Sequence, residues 1–191
     1  MNYLAHLHIA DHCQSSLLGN LLGDFVKGSP EAQFEPNLSQ GIRLHRFVDS
    51  FTDQHQGVSM AKALFPNGVR RFSGIGLDLF WDHCLAKHWG KYHPESLVSF
   101  CAEAEVIVSR DSPQSLPSHF VRTAHAMWQG KWLQSYQDLD NIGLALQRMS
   151  MRSPKMARLA DCFPFLEQHY LTLNEVFSEF YPEILTASKR F

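Results

Sequence analysis

Several histidine and aspartate side chains are spaced four residues apart inside segments that otherwise have the apolar periodicity of helices. Neutral imidazole and carboxylate groups are the ligand types that bind Mn²⁺, Fe²⁺ or Mg²⁺. A metal bound in this way activates water and polarises a phosphoryl oxygen. The pattern therefore predicts a helical metallohydrolase. The residues that form it all lie in the first 83 positions: His6, Asp24, His45, Asp49, Asp53, Asp78, Asp82 and His83.

The length and composition predict one domain that spans residues 1–191. An apolar content of 45% and an aromatic content of 12% are typical of a packed core rather than a disordered chain. No apolar run approaches the roughly 20 residues that a membrane helix needs. The N-terminus also lacks the basic region and uninterrupted apolar stretch of a signal peptide. We therefore expect a cytoplasmic protein without a membrane partner, whose scattered cysteines are buried thiols.

The charge distribution argues against nucleic acid as a partner, because the net charge is only −2. Between positions 20 and 72, however, six basic residues stand against five acidic ones. If Asp24, Asp49 and Asp53 bind a metal, two acids remain and the rim of the site is cationic. Such a rim favours an anionic substrate or an acidic protein, although an ordinary mixed-charge surface explains the composition equally. The basic residues are Lys27, Arg43, Arg46, Lys62, Arg70 and Arg71.

Helical periodicity dominates the chain, whereas alternating strand patterns and hairpin turns are scarce. These features predict an all-α fold, a compact helical bundle of one domain. The expected helices cover residues 16–28, 39–55, 75–89, 94–109, 119–129, 133–149 and 165–181.

The predicted helix at 39–55 presents His45, Asp49 and Asp53 at positions i, i+4 and i+8, along one stripe. Apolar residues fill the opposite stripe, which indicates the face that meets the core. A solvated polar face is the alternative interpretation. The stripe carries ligand-type side chains and no lysine, so we favour a functional site.

The predicted helix at 75–89 places Asp78 and Asp82 on one face, with His83 one position further round. This segment is apolar on nearly all sides, which predicts burial. A carboxylate is almost never fully buried unless it is paired or binds a metal. A buried salt bridge or a helix cap is the alternative, but the segment contains no arginine.

Two shorter segments add weaker candidates. Asn20 and Asp24 are four residues apart beside a leucine stripe, and the neighbouring glycines leave room for another backbone or a ligand. His6 and His8 lie on opposite sides of a short helix or on one side of a short strand. The spacing alone therefore does not choose between these two histidines.

The chain resembles the acyl carrier protein phosphodiesterase family over essentially its whole length. The resemblance is carried by residues 1–8, 16–28, 45–53 and 77–83, and it continues through Trp132, Tyr136 and the segments 138–140, 169–170 and 180–182. This family is regarded as an atypical relative of the HD phosphohydrolases, which implies an HD-like helical fold. The chain itself contains no His-Asp dipeptide, and Asp82-His83 has the reverse order.

The resemblance implies hydrolysis of the phosphodiester that joins 4′-phosphopantetheine to a serine of holo-acyl carrier protein. It also implies a divalent metal, with Mn²⁺ favoured and Mg²⁺ as a substitute. The expected metal ligands are drawn from Asp24, His45, Asp49, Asp82 and His83, which together with Asp78 form the expected catalytic set. His6, Asn20 and Asp53 are expected to orient the attacking water or a metal ligand without binding the metal themselves. The acidic carrier protein is expected to meet Arg43, Arg46, Lys62, Arg70 and Arg71.

Two other functions remain open at the level of sequence. One is an HD-like phosphohydrolase that acts on nucleotides or other small phosphodiesters. The other is a non-catalytic helical module that binds acyl carrier protein. The expected burial of Asp78 and Asp82 argues against the second function.

Overall fold

The computed structural model describes residues 1–191, and it is helical throughout with no β-strand. This confirms the predicted all-α class. None of the helices is both long and apolar enough to cross a bilayer. The α-helices are α1 (Tyr3–His12), α2 (Leu17–Leu22), α3 (Pro36–Gln54), α4 (Gln56–Ala63), α5 (Asn67–Arg70), α6 (Ser73–Lys87), α7 (Leu97–Arg110), α8 (Ser118–Gln129), α9 (Trp132–Ser135), α10 (Leu139–Ser150), α11 (Phe163–Gln168) and α12 (Tyr170–Ser188), with 3-10 helices at Pro30–Ala32, Trp89–Lys91 and Pro154–Cys162.

The centre of the molecule is formed by α1 and α6, which are apolar on almost every side. Every residue of α1 from Leu4 to Ala10 is buried, and so is nearly all of α6 from Gly76 onward. Helices that are hydrophobic all round are typical of the interior of a bundle. The polar side chains carried by α1 and α6 are therefore held in fixed surroundings.

Helices α2 and α3 approach so closely that their backbones touch. A Cβ atom added to Gly19 would lie 2.6 Å from the carbonyl oxygen of Leu38 and 2.9 Å from the Cα atom of Gly41. Only glycine permits this separation. The N-terminus of α2 is fixed by Ser16, whose hydroxyl accepts a hydrogen bond from the Gly19 N–H at 3.0 Å. This contact sets the position of the loop that follows α2 against α3.

Several predicted helix bounds were wrong, each for a local reason. The helix expected at 16–28 ends at Leu22, because the next residues turn and the N–H groups of Phe25 and Val26 both donate to the Leu22 carbonyl. The helix expected at 133–149 is two helices, since the Asp138 side chain accepts from the Asp140 N–H and begins α10.

Two further differences concern helix ends. No helix was predicted at α4, which begins at Gln56; His55 separates it from α3 and caps it, because the His55 Nδ1 accepts the Gly57 N–H at 3.1 Å. The helix expected at 165–181 is interrupted at His169, between α11 and α12. The cysteines are free, and all except the half-buried Cys13 are buried.

The close crossing of α2 and α3 yields a stability test. We expect Gly19→Ala to lower the free energy of unfolding by about 1–3 kcal/mol, because the added methyl group meets the backbone of α3, which cannot move away independently. Chemical denaturation monitored by circular dichroism measures this change. The matched control is Gly74→Ala, where an added Cβ meets nothing within 4 Å and a gain of up to about 1 kcal/mol is expected. Equal effects of the two substitutions would contradict the proposed backbone contact.

Candidate metal centre

Three of the ligand-type side chains converge where α1 meets α3. His6, His45 and Asp49 each offer one ligand atom, and these atoms lie within 4.8 Å of one another. The His6 Nε2 is 3.2 Å from one Asp49 oxygen, and the His45 Nε2 is 3.0 Å from the other. The two imidazole rings are stacked, with centroids 3.8 Å apart. Both histidines are buried, whereas the Asp49 side chain is 37% exposed, so the cluster opens to solvent on one side.

Asp24 approaches the same cluster from the end of α2. Its Oδ1 lies 3.4 Å from the His45 Nε2, and its side chain is 62% exposed at the rim. The residue before it must be glycine, because a Cβ on Gly23 would lie 2.1 Å from the His45 ring. The His45 ring therefore fills the space that a side chain at position 23 would occupy.

Asp78 joins the edge of the cluster from α6. Its Oδ1 accepts a hydrogen bond from the Met1 amino group at 2.8 Å, and the same amino group lies 3.5 Å from Asp49. Burial lowers the pKa of this amino group, but the Asp78 and Asp49 carboxylates outweigh burial and raise the pKa to about 10. The Asp78 side chain is 38% exposed, so its predicted burial was wrong: its carboxylate turns toward the Met1 amino group and the same opening as Asp49.

The protonation of the cluster follows from burial and from the carboxylates. Burial lowers the pKa of His6 to about 4, and the adjacent His45 acts in the same direction. Burial also lowers the pKa of His45, but the contacts with Asp24 and Asp49 outweigh it and raise the pKa to about 9. Burial raises the pKa of Asp49, yet the two histidines hold it well below its usual range. At neutral pH the metal-free cluster thus contains an ionised Asp49, a neutral His6 and a protonated His45.

Three buried ring nitrogens of the cluster indicate whether a divalent metal fits it. Both nitrogens of His45 and the Nδ1 of His6 are buried without a hydrogen bond of acceptable geometry. Buried polar atoms are normally hydrogen-bonded, so a group of unpaired ones requires an explanation. Imidazole nitrogen together with carboxylate oxygen is a donor set that suits first-row divalent metals. The residues therefore fit such an ion, and His6 is a candidate ligand in its own right, beyond the orienting role expected from the sequence.

Asp82 lies in the interior and does not reach the cluster. Its two oxygens accept hydrogen bonds from the backbone N–H groups of Leu4 and Ala5, at 2.9 and 3.0 Å. Burial raises the pKa of Asp82 to about 7, although these two N–H groups oppose the shift. The side chain thus caps the N-terminus of α1 from a different helix. This is the helix-cap alternative of the sequence analysis, with the capped helix 78 residues away.

His83 is also separate from the cluster, because both of its ring nitrogens have other partners. Its Nδ1 lies 2.8 Å from the Tyr136 carbonyl oxygen, and its Nε2 lies 3.0 Å from the Tyr170 hydroxyl. The structure therefore does not bring His83 or Asp82 together with His45 and Asp49. Both side chains have structural roles that account for their burial.

The expected orienting residues differ in their placement. The Asn20 amide donates to the Ser16 carbonyl at 3.0 Å, while its buried Oδ1 has no partner. Asp53 is 71% exposed and lies 2.7 Å from the Lys62 Nζ. The i, i+8 position is rotated by about 80° on a regular helix, which explains why Asp53 leaves the face that carries His45.

The basic residues expected to meet an acidic partner contact other parts of this chain. Arg43 pairs with Glu31 and Lys62 with Asp53. Arg46 donates to the backbone carbonyls of Val26 and Gly28, and Arg70 donates to those of Ala63 and Phe65. Arg71 lies over the Phe72 ring at 4.5 Å. A role of these residues in partner binding stays a prediction.

Matched substitutions distinguish the structural role of Asp82 from the proposed ligand role of Asp49. We expect Asp82→Asn to lower the free energy of unfolding by about 1–3 kcal/mol, since an amide offers one acceptor where two N–H groups need one each. The Mn²⁺ affinity of the Asp82→Asn variant should differ from that of the wild type by less than about tenfold. The Mn²⁺ affinity of the Asp49→Asn variant should fall by more than about 100-fold. Calorimetric titration and denaturation measure the two quantities. Equal losses of Mn²⁺ affinity in both variants would make Asp82 a ligand.

Comparison with known proteins identifies the family. A family model described as acyl carrier protein phosphodiesterase matches residues 1–184. The chain is 41% identical over 190 residues to the acyl carrier protein phosphodiesterase of Pectobacterium atrosepticum, with 99% of this chain and 98% of the relative covered. It is 42% identical over 186 residues to the protein of that name from Yersinia pestis, with 97% and 96% covered. No solved structure shows significant similarity to it. The chain belongs to the acyl carrier protein phosphodiesterase family.

Proposed function

We propose that this protein removes 4′-phosphopantetheine from the serine of holo-acyl carrier protein, which yields apo-acyl carrier protein and free 4′-phosphopantetheine. The relatives that carry the phosphodiesterase name align with nearly the whole chain. The observation that carries the proposal is the solvent-open cluster of His6, His45 and Asp49, in which three buried ring nitrogens make no hydrogen bond of acceptable geometry. A helical module that only binds the carrier protein does not require a metal site, so a cluster that fits one favours an enzyme.

The proposal includes a divalent metal, with Mn²⁺ favoured over Mg²⁺ because two of the candidate ligands are imidazoles. His6, His45 and Asp49 are the residues that would hold it, and Asp24 is close enough to His45 to contribute an oxygen. Such an ion supplies Lewis-acid polarisation of the phosphoryl oxygen and lowers the pKa of water. We also propose that the helical fold is related to that of the HD phosphohydrolases.

The protein side chains have separate tasks in the proposed reaction. Asp49 contacts both imidazoles and fixes their orientation through its two oxygens. Asp78 is partly exposed beside Asp49, and burial raises its pKa although the Met1 amino group opposes the shift. We assign it the orientation of the water that attacks phosphorus. The bond between phosphorus and the serine oxygen then breaks, the oxygen of the water becomes part of the released 4′-phosphopantetheine phosphate, and the proton that this water gives up ends on the serine oxygen.

We further infer that the reaction takes place in the cytoplasm, on a protein substrate rather than on nucleic acid. The four cysteines are unpaired, which fits a reducing compartment. The net charge of −2 provides no general attraction for nucleic acid.

Intact mass spectrometry of holo-acyl carrier protein tests the reaction. We expect incubation with the protein and Mn²⁺ to remove the mass of phosphopantetheine, and EDTA to prevent the loss. Asp49→Asn should reduce the rate by at least about 100-fold, whereas the control Glu105→Gln, an exposed acid on α7, should retain it. Turnover of nucleotides without turnover of the carrier protein would favour the HD-like phosphohydrolase that acts on small substrates. Binding of the carrier protein without turnover would favour the non-catalytic module.

The pKa of His45 predicts how the metal affinity depends on pH. Since the ring is protonated below a pKa of about 9, an ion that binds its nitrogen must displace a proton. We expect the apparent Mn²⁺ affinity to rise by up to about tenfold per pH unit from pH ~6 to pH ~8. Competition with a fluorescent chelator measures this slope, and His45→Gln should flatten it. A wild-type affinity that does not vary with pH would contradict the assignment of His45.

A further inference from the structure

A cleft with a volume of about 250 Å³ lies among α1, α6, α8, α9 and α10. It shares no lining residue with the candidate metal centre. Leu79, Ala145 and Met149 form part of its apolar wall, and Trp132 adds an aromatic ring. Concave sites with apolar walls and a few polar groups are typical of small-molecule binding. The proposed hydrolysis leaves this cleft without a role.

The turn between α8 and α9 places Trp132 at the cleft through an unusual backbone conformation. Lys131 has a φ of 48° and a ψ of 43°, in the left-handed region that residues with a long side chain seldom adopt. Gly130 leaves space for the indole ring, because a Cβ atom at that position would lie 2.5 Å from the Trp132 Nε1. Strained residues of this kind cluster at ligand sites. The turn therefore favours a binding role for the cleft over a gap between loosely packed helices.

Two arginines at the exposed side of the cleft are free to bind a ligand. Arg148 lies in the last turn of α10 and Arg152 follows the end of that helix. The arginine ion pairs of the chain involve Arg43, Arg110 and Arg158, so neither cleft arginine has a carboxylate within 4.0 Å. Guanidinium groups bind carboxylate and phosphate in a bidentate geometry. Two unpaired guanidinium groups beside an apolar wall favour a ligand with an anionic head group and an apolar body.

The charges around the cleft agree with an anionic ligand. No aspartate or glutamate lines the cleft. The segment 118–158, which supplies most of the lining, contains six lysine and arginine residues but only two acids, Asp138 and Asp140. The whole chain, in contrast, has 17 basic and 19 acidic residues. This surface is therefore cationic in a protein whose net charge is negative.

We propose that the cleft is a second binding site, which takes a small amphiphilic anion with an aliphatic body. The body lies against Leu79, Ala145 and Met149, and the head group meets Arg148 and Arg152. Pockets for drug-sized ligands measure roughly 300–1,000 Å³, and this cleft is slightly smaller. The body is therefore a short chain rather than a fused ring system. The site depends on neither the metal nor the carrier protein.

Calorimetric titration of the metal-free protein in EDTA tests the head group. We expect octanoate to bind at least about tenfold more tightly than octanol, because hydrogen bonds to a charged group are the stronger ones. The double variant Arg148→Gln, Arg152→Gln should reduce this difference to about twofold or less and leave the octanol affinity unchanged. The matched control is Arg122→Gln, an exposed arginine on α8 outside the cleft. Whichever of octanoate and octyl phosphate binds more tightly identifies the head group that the arginines prefer.

Chain length and a filled cleft test the apolar body. We expect the affinity to rise by up to about fourfold for each methylene group from butanoate to octanoate, which is the gain from burying one such group. Ala145→Trp, which fills the cleft, should weaken octanoate by at least about tenfold. Its unfolding midpoint shows whether the fold is intact. The arginine variants replace only exposed side chains, so they test the site even if the tryptophan disturbs the packing.

Asp49→Asn separates this site from the metal centre. The variant should bind octanoate as tightly as the wild type does, since Asp49 does not line the cleft. Loss of octanoate binding in Asp49→Asn would place the anion at the centre and overturn the assignment. The assignment also fails if the wild type does not bind octanoate, or if the cleft and control arginine variants bind it equally. Failure of the carrier protein to be hydrolysed contradicts the proposed function alone and leaves the cleft assignment intact.

Discussion

The candidate centre depends on one buried carboxylate that is not part of it. Asp82 accepts the N–H groups of Leu4 and Ala5, and this contact fixes the first turn of α1 against α6. An isolated buried carboxylate is strongly unfavourable, but the N-terminus of a helix supplies unpaired donors and a favourable dipole. Because α1 is fixed at this end, His6 faces His45 and Asp49 rather than the solvent.

The part of the centre formed by α2 and α3 depends on two glycines, which have no side chain. Gly19 lets the backbones of α2 and α3 touch, and Gly23 leaves the space that the His45 ring occupies. The end of α2 therefore lies over α3, which brings Asp24 within 3.4 Å of His45. A bundle with ordinary spacing between α2 and α3 would hold these groups too far apart.

The helical class and the pairing of His45 with Asp49 follow from sequence periodicity, because i, i+4 residues share a face. The position of His6 at the cluster could not be predicted from the spacing of His6 and His8. The two side chains lie on opposite sides of α1, and the sequence does not show which side faces α3. In the structure the His8 Nδ1 lies 2.8 Å from the Tyr181 hydroxyl instead. Burial of Asp82 was correctly expected from its apolar neighbours. Its hydrogen-bond partner is 78 residues away in sequence, and no local pattern reveals such a contact.

The metal-free cluster contains a cation of its own, the protonated ring of His45 between Asp24 and Asp49. The divalent ion of the proposed reaction would take the place of a proton already held beside the same carboxylates. The geometry is therefore formed before the ion arrives, and little rearrangement opposes binding. The two acids are not equivalent, because Asp49 contacts both imidazoles whereas Asp24 contacts His45 from the exposed rim. Asp49 thus organises the cluster, whereas Asp24 adds a negative charge at its exposed rim.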